Sequence, residues 1–133
     1  MELISTHFVK KSDVGYHGNL FGGVMLAWLD EAAAAYAAQA ADTPRMVTKH
    51  IAGCSFQKPV RPGQIIKIYG EVEKIGKTSL RLSVEARRHS VYNGSQKIVV
   101  STKMTFVRID GDGEAIPISE RVRLKYRDPK DLT

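Results

Sequence analysis

The plainest pattern in the chain is a strict alternation. Leu80, Leu82, Val84 and Ala86 fall on one side, with Arg81, Ser83, Glu85 and Arg87 on the other. A period of two predicts a half-buried β-strand. Ile66, Ile68 and Val72 against Lys67, Glu71 and Glu73 predict the strand before it, with Gly70 as a bend or bulge. Gly76-Lys77-Thr78 forms a compact turn between the two. Tyr92-Asn93-Gly94-Ser95 carries the Asn-Gly hairpin signal and leads into a long strand over Ile98 to Ile109, closed by Asp110-Gly111-Asp112-Gly113. Met46 to Phe56 alternates loosely and reads as a further strand. The turn Pro59-Val60-Arg61-Pro62-Gly63 follows it. Residues 2–10, with Leu3, Ile4, Phe8 and Val9, read as a first strand, and Lys10 to Tyr16 as a loop.

Between the first strand and the others the period changes. After Gly22-Gly23 an alanine-rich run extends to about Ala41, where Asp42-Thr43-Pro44 stops it, since a residue before proline is driven out of helical geometry. Val24, Leu26, Ala27, Ala34 and Ala38 recur at three- and four-residue steps, and alanines fill most other sides. A helix apolar almost all round is normally buried, so the rest of the chain is expected to wrap it. One long helix, a leading strand and four antiparallel strands predict an α+β domain over 1–133, a twisted sheet around one central helix. The sheet edges need covering, which oligomerisation supplies.

Asp30 breaks the apolar run in mid-helix, where a carboxylate has no capping use and costs desolvation energy unless it has a partner or a task. A narrow solvent stripe shared with Glu31 is the ordinary explanation. The glycine pair supplies a second component: unpaired N–H groups at a helix start, backed by the helix dipole, can hold a carbonyl oxygen as it becomes an oxyanion. Gly22 and Asp30 are eight residues apart, about 12 Å along a helix, too far to touch one carbonyl. If they cooperate, Gly22 of one subunit must meet Asp30 of another, in a dimer with two shared sites.

Composition narrows the choices. The 133 residues carry a formal charge of +6, concentrated in Lys58–Arg61, Lys74–Lys77, Arg87-Arg88 and Arg121–Lys125. No helix-turn-helix, zinc spacing or RNA-binding signature accompanies the charge, so a small phosphorylated ligand or a generally basic surface fits better than nucleic acid. The one long apolar run is interrupted by Asp30, Glu31 and Gln39, which argues against a membrane span, and the N-terminus does not read as a signal peptide. Cys54 is alone and reads as a reduced, partly buried thiol, so the expected home is the cytoplasm. His7, His17, His50 and His89 lack metal-ligand spacing, and no metal is expected. There is no Gly-x-Ser-x-Gly elbow, and Asp110–Glu114 reads as a hairpin turn rather than a calcium loop.

Taken in order, Gly18-Asn19-Leu20-Phe21-Gly22-Gly23, Asp30, Ser55-Phe56-Gln57-Lys58-Pro59, Gly63, Tyr69-Gly70-Glu71-Val72, Ile75-Gly76-Lys77-Thr78-Ser79 and Thr105-Phe106-Val107 resemble the hotdog-fold acyl-CoA thioesterases, in particular their YciA-like branch. The resemblance covers nearly the whole chain. It implies hydrolysis of acyl-CoA to free acid and coenzyme A, with coenzyme A as part of the substrate and no separate cofactor. Asp30 would be the catalytic carboxylate, as base on water or as nucleophile, and the amide of Gly22 or Gly23 would polarise the thioester carbonyl. The resemblance also implies a site shared across a homodimer, with a trimer of such dimers, a homohexamer, as the assembly. The turn Lys77-Thr78-Ser79 would lie near the nucleotide or pantetheine of the ligand, with Arg61, Arg88 and Arg87 as weaker candidates. Met25, Trp28 and Phe56 are candidates for lining the acyl tunnel.

The chain departs from the family at one point. Relatives often carry an orienting asparagine six positions before the phenylalanine of Phe-Gly-Gly, and here that position is Gly15. His17 and Asn19 are nearby replacements, and Thr48 on the next strand is placed to orient water as in distant relatives. The competing reading is a non-catalytic acyl-CoA-binding or regulatory hotdog protein. A hotdog dehydratase would need a paired aspartate and histidine in its own motif, which is missing.

Overall fold

The computed structural model describes residues 1–126, so the last seven positions of the expected domain lie outside the described residues. The chain runs β1 (Glu2–Phe8), a 3-10 turn (Lys11–Asp13), α1 (Gly22–Ala41), β2 (Met46–Ile51), β3 (Ile65–Ile75), β4 (Ser79–His89), β5 (Gln96–Arg108) and α2 (Glu120–Lys125). The five strands form one sheet in the order β1-β3-β4-β5-β2, every neighbouring pair antiparallel. The α+β architecture, one sheet against one long helix, is the one the hydrophobic pattern calls for.

β4 lies in the middle of the sheet, and its alternating side chains explain why. Leu80, Leu82, Val84 and Ala86 are fully buried under α1, joined by Ile66 and Ile68 of β3 and by Val100, Met104 and Phe106 of β5. The helix meets them through Met25, Leu29, Ala32, Ala33, Ala37 and Ala41. The alanines let its backbone approach the sheet closely. Phe21 precedes the helix in extended geometry with no side-chain cap, which leaves the first-turn amides free. At the other end Asp42 turns left-handed (φ 55°) and its N–H reaches back to Ala38 and Gln39.

Three expectations need correction. The helix is not wrapped all round: the stripe of Val24, Leu26, Ala27, Ala34 and Ala38 is not its core face, and Leu26 stays 37 % exposed. Alanines on every side remove the asymmetry that would have fixed the helix's rotation. Gly70 is no bulge; the register shift in β3 falls between Val72 and Lys74. Gly70 is small because Ile4 crosses it: an added Cβ would lie 3.1 Å from Ile4 Cδ1. β2 ends at Ile51 rather than Phe56, because the chain beyond turns away to pass over the N-terminus of α1, and β1 likewise ends at Phe8. The basic run Arg121–Lys125 is a short helix, with Val122 buried and Ser119 capping it.

Candidate active site

The two candidate groups, Gly22 and Asp30, lie on α1 about 12 Å apart along its axis. At the N-terminal half-site, Gly22 lines a cavity of about 330 Å³ with His17, Asn19, Met25, Phe56 and Gln57. The tightly turned approach puts it there: Gly18 takes a left-handed φ of 80°, and the N–H of Leu20 donates to the carbonyl of Val60 at 2.6 Å. The amides of Gly22 and Gly23 donate to no group among the described residues, but only Gly22 lines the cavity. A Cβ on Gly22 would have ordinary contact with Phe56 at 3.7 Å, whereas one on Gly23 would lie 2.8 Å from the Phe21 ring.

The His17 ring lies in the space beside Gly15. Its Nδ1 accepts the N–H of Asn19 at 3.1 Å, so in the neutral ring the proton sits on Nε2. A side chain at position 15 would have its Cβ 3.1 Å from that Nε2 and 3.2 Å from Phe21 Cδ1. Glycine at 15 and histidine at 17 are therefore a matched pair.

At the second half-site the hydroxyl of Thr48 donates to Oδ1 of Asp30 at 2.6 Å. Thr48 belongs to β2, an edge strand, so the carboxylate is held beside the open edge of the sheet. Leu26, Ala27, Ala34 and Ala38 share this flank of the helix by their three- and four-residue spacing from Asp30. Neither Asp30 nor Thr48 lines the Gly22 cavity. The protomer holds both halves of the expected chemistry but does not bring them together.

The candidate phosphate ligands are divided in the same way. Lys77, Thr78 and Ser79 lie at the turn where β4 begins, packed against the Arg108 and Ile118 amides. Arg61 and Arg88 lie where β4 ends, about 33 Å away at strand rise. Arg88 Nη1 donates to the carbonyl of Pro59, a cavity residue, at 2.7 Å. Arg87 is engaged on the opposite face, its guanidinium 4.0 Å above the Tyr69 ring and paired with Glu85. Met25 and Phe56 line the cavity, but Trp28 is turned away and stacks on His7 with ring centres 4.4 Å apart. Cys54 is half-buried, and burial pushes its thiol up. Asp110 accepts the N–H groups of Asp112 and Glu114, which makes its loop a hairpin turn. No group of three metal-ligating side chains occurs among the described residues, and no helix there is long and apolar enough to cross a membrane.

Comparison with known proteins identifies the family and the fold. The thioesterase superfamily profile matches residues 17–95, more than half of the chain and the span that contains both half-sites. An uncharacterized acyl-CoA thioester hydrolase of Haemophilus influenzae is 30% identical over 78% of this chain and 69% of its own length. The acyl-CoA thioester hydrolase YciA of Salmonella typhimurium is 27% identical over 88% of this chain and 90% of its own. Among solved structures, Cj0915 of Campylobacter jejuni, a hexameric hotdog fold thioesterase, superposes with a TM-score of 0.85 at 32% identity, covering 95% of this chain and 96% of that one. The helix laid in a five-stranded antiparallel sheet is the hotdog fold, and the chain belongs to the thioesterase superfamily.

Proposed function

We propose that the protein hydrolyses the thioester of acyl-CoA, at a site built from Gly22 of one protomer and Asp30 of another. The observation that carries this reading is the division of the site. A free helix-start amide opens into a cavity, and an oriented carboxylate waits about 12 Å along the same helix beside an unpaired sheet edge. Pairing two copies through β2 in antiparallel fashion sets the helices side by side and reversed, so that the partner's carboxylate meets this protomer's amide. The apolar flank around Asp30 and the exposed Val47 and Ile51 of β2, 40 % and 39 % accessible, are then covered. The hexameric relative from Campylobacter jejuni supports a trimer of such dimers.

In this reading the acyl carbonyl oxygen points at the Gly22 N–H, which stabilises the negative charge of the tetrahedral intermediate. Thr48 fixes one carboxylate oxygen of Asp30. The other takes a proton from attacking water, or attacks the carbonyl itself and is released by water in a second step. The coenzyme A thiolate leaves in either case. His17, a wall of the cavity, serves in place of the family asparagine, and the Asn19 N–H holds its tautomer. Coenzyme A belongs to the substrate, so no separate cofactor is required, and the lone reduced Cys54 suits a cytosolic setting. Lys77-Thr78-Ser79 of the partner comes to the same end of the dimer as Arg61 and Arg88, which suits one long polyanionic ligand spread across two subunits.

The test is thiol release from acyl-CoAs of increasing chain length by wild type and Asp30→Asn. The proposal expects steady release by wild type and a loss of about 10²- to 10⁴-fold in the variant, with assembly and coenzyme A binding retained. No release by wild type from any ester, with coenzyme A still bound, would identify a binding protein instead.

A further inference from the structure

A twofold axis that brings Gly22 to Asp30 of the partner subunit must cross α1 at one position. Leu26 lies four residues after Gly22 and four before Asp30, about 6 Å from each along the helix. If Gly22 of each protomer is level with Asp30 of the other, the antiparallel helices are related about the midpoint, which is residue 26. Leu26 then faces Leu26 of the partner subunit. It is the most exposed large apolar side chain of α1, at 37 %, and it lies on the flank of Asp30 rather than on the core face of Met25 and Leu29. Gly22, Gly23 and Ala27 around it have little or no side chain, so the Leu26 pair is the chief bulk between the helices on this stretch.

The two arms of a thioester differ in chemistry. The sulfur arm carries amides and phosphates, which suits the polar side chains His17, Asn19, Gln57 and Lys58 in the wall of the Gly22 cavity. The acyl arm is hydrocarbon and takes the apolar side, the seam between the helices. We propose that the Leu26 side chains of the two subunits meet on the twofold axis and form the end wall of both acyl pockets, so that Leu26 sets the acyl length accepted. The inference rests on the hydrolase reading and its two-subunit site above. From the Gly22 amide to this wall is about 6 Å along the axis, the reach of about five bonds of an extended chain. The substrate class is therefore short acyl esters, and a longer chain has to push the Leu26 pair apart.

Two measurements test it. In a Cys54→Ser background, which removes the chain's single thiol, Leu26→Cys and Ala34→Cys are each oxidised and, separately, treated with a short bismaleimide. Leu26→Cys is expected to form a covalent dimer, because its partner is itself, whereas Ala34→Cys lies about 12 Å from the axis and stays unlinked. Then kcat/KM is compared across straight-chain acyl-CoAs for wild type, Leu26→Ala and Leu26→Phe. Wild type is expected to prefer short esters. Leu26→Ala should raise the long-to-short ratio about tenfold or more, and Leu26→Phe should lower it by a similar factor, mainly through KM. No link at Leu26→Cys, or a link at Ala34→Cys, overturns the position of the axis and the proposal with it. A link together with an unchanged ratio in Leu26→Ala, or a wild type that already prefers long chains, overturns the role in length selection while leaving hydrolysis intact. If wild type cleaves no ester, the hydrolase reading fails and length selection with it, while the cross-link still places Leu26.

Discussion

Thr48 Oγ1 lies 2.6 Å from Asp30 Oδ1, which ties the edge strand β2 to the middle of α1 through the one carboxylate that interrupts the helix's apolar run. A hydroxyl donating to one carboxylate oxygen fixes which oxygen stays free. Thr48→Val keeps the shape and removes the donor. Because hydrogen bonds to charged groups contribute about 1.5–3 kcal/mol, kcat is expected to fall about ten- to hundredfold with KM little changed. Steady-state kinetics on one acyl-CoA checks this, and an unaltered kcat would remove Thr48 from the reaction.

The proposed division of the site between subunits has a sharp test at position 22. Gly22 is the first helical residue, where proline is well tolerated, and Phe21 already has the extended geometry (φ −67°, ψ 131°) that a following proline demands. Gly22→Pro therefore deletes the amide donor and spares the helix. Gly22→Pro and Asp30→Asn should each be nearly inactive alone. Mixed and allowed to exchange subunits, half the dimers are hybrid and each regains one intact site, so roughly a quarter of wild-type activity should return. A mixture as dead as its parents would place both groups in one chain's site.

Gly15 and His17 make a third prediction. Gly15→Asn restores the family residue but drives its Cβ to 3.1 Å from His17 Nε2 and 3.2 Å from the Phe21 ring. Alone it should lower kcat, because the imidazole is displaced. Combined with His17→Ala, which vacates the space, it should recover activity above either single variant. A double variant no better than the worse single one would show that the two residues do not share a role.

How much of this was readable in the sequence depends on what kind of signal each feature leaves. β4 was fully legible because Leu80 to Arg87 alternate without a fault, and the end of α1 was announced by Asp42-Thr43-Pro44. Asp30 stood out because a carboxylate is costly in an apolar run. The orientation of α1 was not legible, since alanine contributes too little burial on any side to fix it, and the sheet had to decide. The pairing of Arg88 with Lys97 was not legible, because the two are nine residues apart and meet only through the β4–β5 register. His17 is legible only as a neighbour of Gly15, and the close fit of its ring beside that glycine shows only in the fold.

The sheet edge at β2 should be the assembly surface. Val47 is 40 % exposed there and takes no part in the Asp30–Thr48 contact. A charge on an edge strand blocks pairing with another chain. Val47→Lys is expected to shift the assembly toward monomers in sedimentation velocity, with the circular dichroism spectrum kept and activity lost. A monomer that retained full activity would refute the two-subunit site.

His7 provides a prediction about pH that is independent of catalysis. The ring sits half-buried on Trp28 and hydrogen-bonded to Ser5, and its pKa is lowered from the usual 6.5, mainly because burial disfavours the charged imidazolium. Glu31 and Asp13 pull the other way and only partly offset this. The unfolded chain therefore takes up its proton at a higher pH than the folded one. Well above 6.5 both states are neutral and the group has no effect; as pH falls through 6.5 the unfolded state gains the proton first and stability drops, until the folded pKa is passed. His7→Phe keeps an aromatic ring on Trp28 and removes the titration. Its melting temperature should fall less than that of wild type between about pH 7 and pH 5, as followed by thermal melts in a buffer series. Equal slopes for the two proteins would mean that the folded chain carries the charged imidazolium at no cost and that the stack with Trp28 contributes nothing to acid sensitivity.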